Sequence, residues 1–156
     1  MRQNARGRSL ASLEGMNEPS AARKRTLALH DRALRFSNAV NTSCPKHFSD
    51  VPSSVVWNQL VRAADSTSGN LIEADAAASD ADFLNKMGIA LREAKESGAS
   101  LAKLRMGQLD HFQQTTDRNL ESEANQLASI FAAIILNMRL RLEEQNRRKQ
   151  ATRRKT

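Results

Sequence analysis

Residues 120–142 read LESEANQLASIFAAIILNMRLRL. Leu120, Ala124, Leu127, Phe131, Ile134, Met138 and Leu142 recur every three or four residues and so share one face of a helix. Between Ala132 and Leu140 the opposite face is apolar too, through Ala132, Ala133, Leu136 and Leu140. A surface helix should be polar there. Burial on both sides is therefore expected. One side would pack in the protein's own core, and the other against another subunit. Burial of the same helix at the centre of a monomer would satisfy the pattern equally. Leu127 to Met138 is too short an apolar run to span a bilayer and suits a core helix.

The same period appears three times upstream. Leu29, Ala33, Phe36 and Val40 predict a first helix from about Ser20 to Asn41, ended by a loop containing Cys44, Pro45 and Pro52. Val56, Leu60, Ala63, Thr67, Leu71 and Ala74, widened by Trp57, Val61, Ala64 and Ser68, predict a second from about Ser54 to Ala77. Its many small residues would let a neighbouring helix approach closely. Ser79 and Asp82 have the S-x-x-D spacing of a helix start. Phe83, Met87, Ala90, Ala94, Leu101 and Leu104, flanked by Leu84, Leu91 and Ala102, continue a third helix to about Gly107. The opening stretch belongs to a fourth, from about Thr116 to Arg147 or beyond. Ala, Leu, Arg, Gln, Glu and Met dominate the composition and all favour helix. The expectation is an all-α, antiparallel, up-down-up-down four-helix bundle. It spans residues 19–147, with a disordered basic arm at 1–18 and a basic C-terminal tail at 148–156.

The formal charge of +7 is unevenly placed. Residues 1–30 hold six basic and two acidic groups, and residues 139–156 hold eight basic and two acidic. The ends together carry +10 and the middle −3. Segregation of this kind points to a polyanion partner. Basic ends that merely aid solubility are the plainer alternative. No secretory signal is read at the N-terminus, and Cys44, the only cysteine, fits a reducing, cytoplasmic compartment.

Catalysis finds no foothold in the pattern. No Glu or Asp precedes a His by three residues, so the di-iron motif of helical bundles is not read, and His30, His47 and His111 are far apart. Asp110 and His111 are adjacent and cannot share a helix face. Cys44 and His47 lie near Pro45 and read as a loop thiol beside a histidine, not a nucleophile with its base. No phosphate-cradling glycine motif occurs. The expectation is a non-enzymatic protein with no metal and no cofactor. Glu93 and Glu96, set among Arg92 and Lys95, read as solvated or bundle-bridging ion pairs.

A polar series on the second helix stands out. Arg62, Ser66, Asn70 and Glu73 recur at helical spacing beside the apolar arc. Arg62 and Glu73 are about three turns apart, so they cannot meet within the helix, and each member should reach another helix or another subunit. A solvated face is the alternative.

Arg62-Ala63-Ala64-Asp65-Ser66, Asn70-Leu71-Ile72-Glu73, Asp82-Phe83, Ile89-Ala90 and Glu96 together resemble the pattern of one bacterial family. It is the four-helix bundle family named after intervening sequences in large-subunit ribosomal RNA genes. Its pattern runs R-A-A-x-S, N-I-A-E-G, D-F, I-A and then Glu, and the likeness covers about Phe36 to Arg139. Ala74 replaces a usual Gly, and Glu93 replaces a usual small residue. The resemblance implies an antiparallel bundle assembled into a homopentameric ring. A relative of the family, the accessory variability protein of diversity-generating retroelements, is similar in being a basic pentamer that binds a reverse transcriptase and its template RNA.

The leading expectation is an oligomeric scaffold that binds RNA or another nucleic acid, accessory to a reverse transcriptase. Arg139, Arg141, Arg147, Arg148, Lys149, Arg153, Arg154 and Lys155 are the first candidates for phosphate contacts, and Arg23, Lys24 and Arg25 the second. Arg62, Ser66, Asn70, Glu73, Leu136 and Leu140 are candidates for the subunit interface or a polar stripe in the bundle. With no Tyr and few other aromatics, no stacking platform for bases is read, so backbone contacts should dominate. The alternative is an adaptor that docks its basic ends on an acidic protein. Membrane-surface binding is disfavoured because no apolar residue larger than Ala151 follows Leu142.

Overall fold

The computed structural model describes residues 18–107 and 114–153. They form four helices in chain order and no strand: α1 (Ala21–Ser43), α2 (Val51–Asp75), α3 (Asp80–Gly107) and α4 (Gln114–Arg153). Apart from Glu18, the arm read at residues 1–18 lies outside the described residues, as do Asp110 and His111.

Each boundary has a local chemical cause. Ser20 opens α1, its hydroxyl accepting from the Arg23 N–H at 3.2 Å. Cys44 closes α1, donating its N–H to the Val40 carbonyl at 3.0 Å, and is itself extended because Pro45 follows. Asp50 opens α2. Its carboxylate accepts from both the N–H and the hydroxyl of Ser53 at 2.7 Å. The helix thus begins three residues earlier than the sequence suggested, and Pro52 lies inside its first turn. A first-turn N–H has no partner within the helix, so a proline there costs little. Ser79 opens α3 as expected, accepting from Asp82 N–H at 3.1 Å and Phe83 N–H at 2.9 Å. Asp80 and Asp82 place negative charge in that first turn, where the helix dipole favours it.

Each helix packs on its neighbours in sequence. The contacts of α2 with α3 and of α3 with α4 are extensive, and α1 closes on α4 more thinly. Phe36, Trp57, Leu60, Met87, Leu101, Leu104, Leu127 and Phe131 are buried at the centre. Small residues line the close crossings: Ala63, Ala64 and Thr67 on α2, and Ala90, Ala94 and Gly98 on α3. At Gly98 a Cβ would stand 3.0 Å from Asn125 Oδ1, so even one methyl would press on α4. Polar clips fasten the seams. Asp65 of α2 accepts from Ser37 and, at 3.0 Å, from Asn41 of α1. Arg32 of α1 grips Glu123 of α4 with two hydrogen bonds, at 2.5 and 2.8 Å, and also reaches Gln126. That grip raises the Arg32 pKa, against the opposing effect of burial. Arg105 holds Glu121 in the same two-pronged way across α3 and α4.

Among the described residues, no helix is long and apolar enough to cross a membrane. With four antiparallel helices, the first residue of α1 and the last of α4 must lie at the same end. The Arg23–Asp75 pair and the Arg141–Asp80 pair, at 3.8 Å, tie both to the α2–α3 turn.

Candidate nucleic-acid interface

The two basic segments, separated by more than a hundred residues in sequence, converge at the end of the bundle that carries the α2–α3 turn. Arg23, Lys24 and Arg25 occupy the first turn and a half of α1, all exposed. Arg139, Arg141, Arg147, Arg148, Lys149 and Arg153 follow one another down α4. The helix continues through the residues read as a tail, as far as Arg153; Arg154 and Lys155 lie outside the described residues. Among the described residues Leu142 is the last that is half-buried, and every residue from 143 to 153 is exposed. At 1.5 Å per residue this overhang projects roughly 16 Å beyond the bundle.

Five of these cations have acidic partners. Arg23 pairs with Asp75, Lys24 with Glu18 at 2.6 Å, and Arg141 with Asp80. Arg147 pairs with Glu143 at 3.8 Å, and Arg148 with Glu144. Arg25, Arg139, Lys149 and Arg153 have no ion-pair partner among the described residues. The pairs are solvent-exposed, and such contacts are worth only about 0.2–1 kcal/mol each. A phosphate could replace any of these carboxylates at little cost.

Beside this cationic end lies an open cleft of about 600 Å³ between the α2–α3 turn and α4. Ala74, Phe83, Ile134 and Met138 form its apolar wall. Asp75, Ser79, Asp80, Asn137 and Arg141 supply its polar groups. Phe83, read from the sequence as core, is only half-buried. The Arg141 guanidinium lies across the Met138 sulfur, 2.9 Å from Nη2. The cleft draws on two helices and a turn distant in sequence, and so left no local motif to find.

The other candidates are distributed differently. On α2, Asn70 donates to the Ser66 carbonyl at 2.9 Å and its hydroxyl at 3.1 Å, so this pair is satisfied one turn apart within its own helix. The expectation that each polar residue of the stripe reaches another helix or subunit therefore fails for these two. Glu73 does reach out, to Lys86 of α3 at 2.5 Å, and this hydrogen bond raises the Lys86 pKa. Arg62 is exposed with no partner among the described residues. Leu136 and Leu140 are 57% and 50% exposed. The fourth helix is thus buried on one side only, and its placement at the centre of a monomer is overturned. Cys44 is half-buried beside the core, where burial raises its pKa and keeps the thiol protonated. No three His, Cys, Asp or Glu side chains gather as a metal site among the described residues.

Comparison with known proteins places the chain. The family model for the 23S rRNA-intervening sequence protein matches residues 25–133, more than two-thirds of the length. The bundle superposes on the crystal structure of a protein of unknown function from the S23 ribosomal protein family of Bacteroides thetaiotaomicron. The TM-score is 0.57 at 26% identity, covering 69% of this chain and 97% of that one. No curated protein matches significantly.

Proposed function

The chain belongs to the 23S rRNA-intervening sequence protein family, and from that premise we propose that it is a non-enzymatic scaffold for RNA or another nucleic acid. It binds through the end of the bundle where its two basic segments meet. The observation that carries this reading is the convergence itself. Charge separated along the sequence becomes one surface in space, and a helical overhang extends it outward. Phosphate contacts then dominate the affinity, with counterion release as their driving force.

The finer reading is a homopentameric ring that serves a reverse transcriptase. Its assembly half is supported by the uncovered apolar stripe on α4, and its polymerase half by the resemblance of the motif set. A ring would repeat the basic end around one rim and add avidity to each weak contact.

The test is fluorescence anisotropy of labelled RNA across a salt series, comparing the full chain with one ending at Leu142. Six cations lie beyond that point. If all six engage, truncation should flatten the log–log salt slope by about 4 for single strands. Replacing Arg147, Arg148 and Lys149 with Ala should remove roughly half of that, with helicity unchanged. Equal slopes for the full and truncated chains would refute the placement. Absence of binding at low salt would refute the scaffold.

A further inference from the structure

We propose that the cleft beside Phe83 seats one unpaired nucleobase of the bound nucleic acid and prefers a base with an exocyclic amino group. The proposal rests on the scaffold reading and gives it a selectivity that basic residues alone cannot supply.

Three observations lead there. The first is position. The cleft opens at the cationic end, and Arg141 belongs to both the phosphate-binding surface and the cleft wall. Its volume of about 600 Å³ falls within the roughly 300–1,000 Å³ of ordinary small-molecule sites. The second is the wall. Phe83 is half-buried and is held by the α3 start, whose Ser79 cap fixes the first turn. Met138 and Ile134, one turn apart on α4, supply the other apolar surface. An aromatic ring and a polarisable thioether can sandwich a flat base without regard to its sequence.

The third is the arrangement of charge. Two carboxylates, Asp75 and Asp80, lie in the cleft, so a phosphate is excluded from its interior and belongs on the rim. Arg23 neutralises Asp75. Asp80 holds Arg141 only loosely, at 3.8 Å. When a nucleotide arrives, the Arg141 guanidinium can turn to its phosphate and leave the Asp80 carboxylate facing the base. A carboxylate can only accept hydrogen bonds, so it favours the amino groups of cytosine, adenine and guanine. Uracil presents two carbonyl oxygens and a single N–H. Asn137, on the same wall, can donate to or accept from the remaining edge.

The test is anisotropy at one low and one moderate salt concentration with cytosine, adenine and uracil RNA dodecamers, which carry equal charge. The wild type should bind the cytosine and adenine oligomers at least 5-fold tighter than the uracil one. Phe83→Leu keeps an apolar side chain against the core and removes the ring. It should weaken the cytosine and adenine complexes by about 5- to 150-fold, the range of lost base stacking. Asp80→Asn, exposed in the first turn of α3, replaces the acceptor-only carboxylate with an amide that also donates and should narrow the discrimination. Equal wild-type affinity for all three oligomers would overturn the cleft and leave the scaffold standing. An undiminished preference for cytosine and adenine in Asp80→Asn would do the same. No binding to any of them at low salt would overturn both.

Discussion

Replacing Leu136 and Leu140 together with Glu tests whether the uncovered face of α4 is a contact between copies of the chain. The two leucines keep 57% and 50% of their surface exposed. Complete burial of a leucine is worth about 1.5–3 kcal/mol, so the exposed halves have about 0.8–1.5 kcal/mol each still to give. For the pair that is roughly 1.5–3 kcal/mol per contact, or about 10- to 150-fold in its dissociation constant. Burying two carboxylates without partners would weaken the contact further. The same substitutions should leave the isolated fold within about 0.5 kcal/mol of the wild type. Both side chains are already wet, and Glu is nearly as good a helix former as Leu. Sedimentation velocity over a range of concentrations reads the assembly, and thermal unfolding under dissociating conditions reads the fold. A double variant that assembles as well as the wild type refutes the stripe as an interface. One that unfolds readily shows instead that the leucines hold the monomer together.

Four other perturbations follow from the packing. Arg32→Met and Glu123→Gln, made singly and together, should show a coupling of about 1 kcal/mol by urea unfolding, because the pair is two-pronged and half-buried where α1 meets α4 thinly; no coupling would make the clip incidental. Gly88→Ala should stabilise by about 0.8–1.0 kcal/mol, since a Cβ there meets nothing within 4 Å. Gly98→Ala should gain less, because its Cβ would press on Asn125 Oδ1 at 3.0 Å; an equal gain in thermal unfolding would refute that crowding. The Asp50 carboxyl is held below the usual carboxylate range by the Ser53 N–H and then its hydroxyl. Its stabilisation is therefore complete above the unfolded value of about 3.9 and is lost as pH falls through the folded one. Asp50→Ala should lower the melting temperature by about 2–4 °C at pH 7, with the deficit shrinking on acidification; a constant deficit down to pH ~2 would refute the cap's charge.

Periodicity made the bundle legible, because a helix that buries one face must repeat apolar residues every three or four positions. Phe36, Leu60, Met87 and Leu127 were all placed in the core on that ground, and all are buried. Periodicity misplaces the start of α2, because Pro52 taken alone signals a helix break. The signal that corrects this is Asp50 with Ser53 three residues on, a capping pair that brackets a first-turn proline. The Ser66–Asn70 pair was legible as a spacing but not as a destination. Four residues along a helix is the distance at which a side chain can serve its own backbone instead of a neighbour. The cleft could not be read at all. Ala74, Phe83 and Met138 each fit a core stripe, and only the three-dimensional arrangement shows that the stripes part at one end.

The convergence of the basic segments could have been inferred from the helix count, since any even number of antiparallel helices returns the chain to the side where it began. What the count cannot supply is the division of labour among the cations. Asp75 and Asp80, set at the α2–α3 turn, hold Arg23 and Arg141 close to the bundle. Glu143 and Glu144 hold Arg147 and Arg148 only one turn away on the same exposed helix. Arg25, Arg139, Lys149 and Arg153 have no such partner among the described residues. Arg23 and Arg141 are therefore held against the bundle, Arg141 in the wall of the cleft, whereas Lys149 and Arg153, out on the overhang, face the solvent with their charge uncompensated. On the proposed reading, a polyanion drawn in by Lys149 and Arg153 would meet Arg141 next, at the place where a base can leave the solvent.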